Sequence, residues 1–244
     1  YTEKSTDTAA DFVCCKMTLE HIPNTRQFVR MVRLAQGDRQ AEIFFMIPEA
    51  KRILKDCAFE DVYYEHCSYF SPHSLERVFR DAGFFPTAVG FEYDGQYLTI
   101  AAGTEAAGPG PLTGPDQLAD LKGWVAGFPD LFRSQLDFWR GRLASWRAEG
   151  KTALIWGSGS TGVSFLTTMG LDDGIAGAVD INPHRQGYFM PGTGHRIFGP
   201  DDLVELEPDV VIVMNPIYRE EITADLATRG LTPEILNVDD GVKQ

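Results

Sequence analysis

The residues best suited to acid–base chemistry lie in the run Tyr63-Tyr64-Glu65-His66, which follows a predicted buried strand at residues 41–47. In open α/β sheets, the connections at the carboxyl ends of strands form the ligand crevice. An imidazole next to a carboxylate can act as a base near neutral pH, and a phenol can orient a substrate oxygen. The aromatic residues around this run favour a walled pocket, and the alternative is a surface loop.

A glycine-rich turn, GSGSTG at residues 157–162, follows a predicted strand and opens a predicted helix. Glycines let the backbone approach a phosphate at a helix N-terminus, and an acid after the next strand can hold ribose hydroxyls. The pattern predicts a nucleotide- or substrate-binding site, and the alternative is a Rossmann-like turn whose glycines serve only tight packing. The candidate residues are Gly157, Gly159, Gly162, Asp180 and, in the loop that follows, His184 and His195.

Apolar runs and turn residues predict an α/β organisation for the first hundred residues. The pair Asp94-Gly95 separates two β-rich runs, which is a strong signal for an antiparallel hairpin. The predicted elements, in order, are a strand at 11–16, a helix that opens at Asn24 or Thr25 and ends at Gly37, a strand at 41–47, a helix at 71–83, and strands at 87–93 and 96–101.

The sequence of the remaining residues predicts a linker, a long helix and a second α/β region. Residues 102–116 are rich in glycine and proline and indicate the linker. The helix is expected at 118–149, with a break near 127–129 and an aromatic stripe that is typical of packing. The later alternation of strands and helices predicts a parallel sheet with right-handed crossovers. Its strands are expected at 152–156, 175–179, 209–214 and 235–238, and its helices at 161–169, 201–205 and 218–228.

The charge balance argues against nucleic acid and membranes as partners. The chain carries 35 acidic and 22 basic residues, for a net charge of −13, and it shows no clustered basic face. It contains no apolar run long enough to cross a bilayer and no apolar signal core near its first residue.

The cysteines indicate a reducing compartment. No two of them form a CxxC pair, so we expect no metal site of the closed zinc type. We expect all four to be reduced thiols and the protein to be cytoplasmic. They are Cys14, Cys15, Cys57 and Cys67.

Four segments together carry a family resemblance. Residues 11–23 look like the fourth-strand region of class I S-adenosylmethionine-dependent methyltransferases, and the predicted hairpin matches the sixth and seventh strands that close their sheet. The run VYYEHCSYFSPHSLERVFRDAGF at 62–84 is similar to the YxEHxxYFS segment of the C-methyltransferases that modify nucleotide-linked deoxysugars. Residues 155–222, from IWGSGSTG through VDINPHRQGYFMPGTGHRIFGP to VVIVMNPIYREEI, resemble the C-terminal domain of the same family.

The resemblance implies a fold and a domain division. Residues 1–103 would form the C-terminal part of a class I methyltransferase domain, an α/β Rossmann-like sheet that ends in an antiparallel hairpin. Residues 104–150 would hold the linker and the long helix. Residues 151–244 would form a second, Rossmann-like α/β domain, the C-terminal domain of the C-methyltransferases.

The resemblance also implies a reaction: S-adenosylmethionine-dependent methylation of a carbon next to a carbonyl, with a small-molecule substrate such as a nucleotide-linked sugar. His66 would be the general base, Glu65 would orient it, and Tyr63 would hold a substrate oxygen. Met17 and His21 would lie on the cofactor side. Family members often carry Asn where Met17 stands, and His is common at the position of Tyr64, which bears on the choice of substrate.

Three parts of the family pattern are not found in residues 1–244: the glycine-rich cofactor turn after the first strand, the ribose-binding acid after the second, and a cysteine-rich zinc segment. We therefore expect a fragment with most of the S-adenosylmethionine site outside this chain, and little or no activity of the chain alone. We also expect a partner chain or self-association to cover an exposed sheet edge at 11–16, because bare apolar edges favour association.

Two other functions are compatible with the motifs. The second α/β region can be a nucleotide- or sugar-binding module without chemistry. The GSGSTG turn with Asp180 can instead belong to an NAD-dependent oxidoreductase, although the sequence shows no second fingerprint and no evident hydride-transfer residues.

Overall fold

The protein is described by a computed structural model, which covers residues 10–106, 113, 118–170 and 174–242. The chain divides into two compact units. The first unit comprises Tyr1–Lys55 and Tyr63–Trp124, and the second comprises Asp56–Val62 and Val125–Gln244. A short piece of the N-terminal third therefore belongs to the second unit. The division that we predict at residues 103 and 150 stays a prediction.

The first unit is built around a four-stranded sheet. Its strands are β1 (Phe12–Lys16), β2 (Glu42–Pro48), β3 (Phe85–Glu92) and β4 (Tyr97–Gly103), and its helices are α1 (Thr25–Gln36), α2 (Ala50–Lys55) and α3 (Pro72–Asp81). The strand order is β1-β2-β4-β3. Strand β1 pairs with β2 in parallel, whereas β4 runs antiparallel to both β2 and β3.

The ends of these elements follow the local sequence signals. Helix α1 begins after Asn24 and ends at Gly37, whose amide donates to the Leu34 carbonyl oxygen. The Asp94-Gly95 hairpin is confirmed, with Tyr93 and both of these residues at positive φ. Its loop is four residues long, from 93 to 96, because the paired register of β3 and β4 ends at Glu92 and Tyr97.

Aromatic side chains fill the core of the first unit. Phe45 of β2 meets Phe79 of α3 edge to face at a centroid distance of 5.0 Å, and Phe79 contacts Phe84 at 5.8 Å. All three are fully buried. The packing fixes α3 against the sheet, and the loop that carries His66 leads directly into this helix.

The second unit contains a five-stranded parallel sheet in the order β7-β6-β5-β8-β9, which confirms the predicted parallel arrangement. Its strands are β5 (Ala153–Trp156), β6 (Ile175–Val179), β7 (Ile197–Phe198), β8 (Val210–Val213) and β9 (Glu234–Asn237). Its shorter helices are α5 (Ser160–Met169), α6 (Leu203–Leu206) and α7 (Arg219–Thr228). The two-residue edge strand β7 was not predicted, and the helix expected at 201–205 is a 3₁₀ turn followed by α6.

The long helix α4 (Leu118–Ala148) continues past Pro129, so the break predicted near 127–129 is wrong. A proline costs an interior helix at least one hydrogen bond, but here the aromatic stripe holds the following turns in place. Trp139 is fully buried, its indole N–H donates to the Val238 carbonyl oxygen at 3.0 Å, and its ring meets Phe165 at 5.3 Å. The stripe thus serves packing, as predicted. In the described part of the chain, no helix is both long and apolar enough to span a bilayer.

Candidate functional site

His66 lies in a small cage of aromatic rings in the first unit. Its side chain is only 8% exposed. The ring centroid of Tyr63 is 4.2 Å away, that of His21 is 4.9 Å away, and that of Tyr69 is 6.2 Å away. The predicted pair of Tyr63 and His66 is thus brought together. His21, which sequence reasoning assigned only to the cofactor side, joins the same cluster.

Backbone hydrogen bonds hold this cluster at the carboxyl end of β1. The chain leaves β1 through a 3₁₀ turn, Leu19–His21. The carbonyl oxygen of Glu20 accepts from the amides of Cys67 at 2.7 Å and Ser68 at 3.2 Å. The ring Nδ1 of His21 lies 3.1 Å from the carbonyl oxygen of Glu65. Two segments far apart in sequence are therefore joined where parallel sheets form their ligand crevice.

The two carboxylates near His66 differ in their surroundings. The side chain of Glu65 is exposed, and its main-chain carbonyl is the group that meets His21. Glu20 is 1% exposed, and its Oε1 lies 3.9 Å from His21 Nε2. Glu20 was not among the site residues predicted from the sequence. The orienting role assigned to Glu65 stays a prediction.

Met17 marks the turn that connects β1 to this cluster. Its φ is +48°, in the left-handed region, and its amide donates to the Met46 carbonyl oxygen at 2.9 Å. Residues other than glycine and asparagine rarely adopt this conformation, because their Cβ approaches the following carbonyl oxygen. The asparagine that is frequent here in the family resembled by the sequence would suit the backbone better than Met17 does.

Met17→Asn is therefore expected to raise the free energy of unfolding by about 0.5–1 kcal/mol, since the half-exposed Met17 side chain gives up little packing. Chemical denaturation of the full chain measures the change. The control is Lys16→Asn, one residue earlier in β1, where asparagine brings no such relief and suits a strand poorly. An equal gain at both positions would contradict the explanation.

The glycine-rich turn of the second unit is shaped by packing. Gly157 has φ +125°, and a Cβ added there would lie 3.1 Å from Met214 Cβ. A Cβ added at Gly162 would lie 2.3 Å from the Gly157 carbonyl oxygen. Gly159 precedes the first residue of α5, and the nearest atom to an added Cβ is an Arg185 nitrogen at 3.8 Å. Two of the three glycines are thus needed for the turn itself.

Both carboxylate oxygens of Asp180 accept hydrogen bonds from nearby residues. One carboxylate oxygen accepts from the Ser158 amide at 3.2 Å and from the Ser158 hydroxyl, and the other accepts from the Asn182 amide at 2.9 Å. Arg185 Nη1 lies 3.3 Å from the first oxygen. Partial burial works to raise the pKa of Asp180, but these hydrogen bonds and the guanidinium outweigh it and lower the pKa. Asp180 thus fastens the turn to the end of β6.

A cavity of about 440 Å³ opens beside this turn, at the carboxyl ends of β5, β6 and β8. Its wall brings together Gly157, Gly159, Gly162 and Asp180 with the apolar side chains of Trp156 and Met214 and the acids Glu221 and Asp225. Its lining does not include His184 or His195. The exposed His184 donates its amide to Asn182 Oδ1, and His195 Nδ1 lies 2.9 Å from Thr193 Oγ1.

Two family models match separate parts of the chain. The model of a methyltransferase domain matches residues 2–89, and the model of the C-methyltransferase C-terminal domain matches residues 126–230. No curated protein matches the chain. The two matches place the chain in a family of class I S-adenosylmethionine-dependent C-methyltransferase-like proteins. The mixed α/β architecture is consistent with the Rossmann-like fold of methyltransferases.

Members of methyltransferase families generally use S-adenosylmethionine, and the groups at the end of β1 suit one side of that cofactor. Met17 and His21 are both half-buried there, beside the buried carboxylate of Glu20. Main-chain groups and an imidazole can contact the hydroxyl and amino groups of such a ligand. The donors present therefore fit one side of the cofactor.

Proposed function

We propose that the protein methylates a carbon next to a carbonyl group and that His66 is the general base. The observation that carries the proposal is the burial of His66 among Tyr63, Tyr69 and His21, at the carboxyl end of β1. A buried imidazole between aromatic walls is screened from bulk water, which protects a reactive carbanion from competing protonation. The family matches support methyl transfer as the reaction class.

In the proposed reaction, the side chains of this cluster divide the work. The imidazole of His66 takes the proton from the carbon, and the electron pair of the broken C–H bond moves into the enolate. The hydroxyl of Tyr63 holds the substrate oxygen on which negative charge develops. S-adenosylmethionine, when bound beside Met17 and His21, supplies the electrophilic methyl group. The electron pair of the enolate would form the new carbon–carbon bond while the methyl–sulfur bond of the donor breaks, and the electron pair of that bond would stay on the sulfur atom.

We further propose a nucleotide-linked sugar as the substrate. The cavity beside GSGSTG supports a nucleotide-binding role for the second unit, because the ten-residue helix α5 begins beside it. The apolar residues Trp156 and Met214 offer a wall for a base. The packing role of Gly157 and Gly162 supports the alternative that this region has a purely structural turn.

Proton abstraction can be tested without methyl transfer. The chain is incubated in deuterium oxide with a nucleotide-linked keto-deoxysugar, and exchange of the proton next to the carbonyl is followed by NMR. The proposal expects exchange that is faster than in buffer and depends on protein concentration. Exchange at the rate of buffer alone would overturn it. A chelator is included, so that adventitious metal ions neither help nor hinder the reaction.

A further inference from the structure

We propose that Glu20, His21 and His66 form a binding site for a divalent transition-metal ion such as Zn²⁺. Each residue offers one ligand atom, and these atoms all lie within 4.8 Å of one another. The cysteine spacing predicted that no closed zinc site is present. The cluster is not visible as a sequence motif, because His66 lies in a loop more than forty positions after the Glu20-His21 pair.

The ligand types indicate which ions would bind. Two imidazole nitrogens and one carboxylate oxygen suit zinc and other first-row transition ions, whereas Mg²⁺ and Ca²⁺ prefer oxygen ligands alone. Three protein ligands leave one coordination position for water or a substrate oxygen. Metal–ligand bonds of about 2.0–2.2 Å place tetrahedral ligand atoms about 3.5 Å apart, so metal binding would draw these side chains closer than the observed spacing of up to 4.8 Å.

The surroundings of His21 resemble those of a metal-bound histidine. Its Nδ1 lies 3.1 Å from the Glu65 carbonyl oxygen, which fixes the ring so that Nε2 faces Glu20 at 3.9 Å. Histidines that bind metals commonly donate their second ring N–H to such a carbonyl or carboxylate, and this contact sets both tautomer and orientation. The amides of Cys67 and Ser68 hold the His66 loop to the same turn.

The burial of the Glu20 carboxylate adds an electrostatic reason for metal binding. Both carboxylate oxygens of Glu20 are shielded from solvent. A divalent ion bound there would lie in this shielded site, where the attraction between the ion and the carboxylate is less screened by water. The metal would use the same nitrogen lone pair that His66 needs as a base. The metal-bound protein is therefore a form in which the proposed proton abstraction is blocked.

Titration calorimetry of the full chain with Zn²⁺ tests the site. We expect one tight site in the wild type and a loss of at least tenfold in affinity in Glu20→Gln and in His21→Ala. His195→Ala and Cys67→Ser are the matched controls and should bind like the wild type. Circular dichroism verifies that each variant is folded. Because His21 is only half-buried, His21→Ala decides the result should Glu20→Gln fail to fold.

Substitution with Co²⁺ identifies the ligands. Visible bands without a sulfur charge-transfer band support a nitrogen and oxygen site, whereas a charge-transfer band that disappears in Cys67→Ser assigns the ion to a thiolate. The proposal is overturned by that second result, by the absence of a stoichiometric site, or by wild-type affinity in His21→Ala. Because zinc binding is measured without substrate and deuterium exchange is measured with chelator, each proposal can fail independently of the other.

Discussion

Replacing His66 with asparagine is expected to slow proton abstraction by about 10²–10⁴-fold, the usual effect of removing a general base. Asparagine remains polar but has no basic nitrogen. The loop conformation should be kept, because the main-chain amide of residue 66 donates a hydrogen bond to the Tyr63 carbonyl oxygen at 3.0 Å. This bond does not depend on the side chain at position 66. The substitution therefore removes the base without removing the element that positions it.

The measurement is the exchange of the acidic substrate proton with solvent deuterium, in chelator and without a methyl donor. Cys67→Ser is the control, since its exposed neighbouring side chain has no part in the proposed chemistry. Glu65→Gln should cost much less than His66→Asn, because its side chain is exposed. Exchange by His66→Asn at the wild-type rate would show that the run at 63–66 is a structural loop or a binding wall.

The neighbouring imidazole provides a sharper version of this experiment. The His21 ring lies 4.9 Å from that of His66, within the same cluster. If His21→Asn abolished exchange while His66→Asn kept it, the base would be His21, and the role implied by the family resemblance would be wrong. If only His66→Asn loses exchange, His21 serves binding or orientation.

The fold of the second unit was largely predictable because its signals are local. Strands β5 and β8 are short, wholly buried apolar runs, and the turn between β5 and α5 carries its own glycines. Strand β7 has only two residues, and it is defined by its pairing with β6 rather than by any pattern of its own. Likewise, the continuity of α4 past Pro129 depends on tertiary packing that outweighs a local breaking signal.

The candidate site was predictable only in part, for a related reason. The run at 63–66 stands out by residue type, and the structure places Tyr63 against His66. Glu20 reads in the sequence as an ordinary surface acid, because its burial arises when the loop after α2 folds over the turn after β1. Residues 56–62 gave no sequence signal that they pack in the second unit.

The glycine-rich turn allows the packing and ligand roles of its glycines to be separated. Gly162→Ala is expected to lower the free energy of unfolding of the second unit by about 1–3 kcal/mol, the usual cost of overpacking. Alanine normally stabilises a helix by about 0.5–1 kcal/mol relative to glycine. Here the added Cβ would lie 2.3 Å from the Gly157 carbonyl oxygen, so the backbone of α5 must shift.

Tryptophan fluorescence during guanidinium denaturation measures this change, because Trp139, Trp146 and Trp156 all lie in the second unit. The matched control is Gly159→Ala, where φ is −77° and the nearest atom to the new Cβ is 3.8 Å away. Its cost should be about 0.5–1 kcal/mol, the effect of a poorer N-cap residue without overpacking. Because Gly159 lines the cavity, its variant reports on ligand binding in a folded unit. Equal stability of Gly162→Ala and Gly159→Ala would show that the turn relaxes around the added methyl group, and the close approach of α5 to Gly157 would then not be required by the fold.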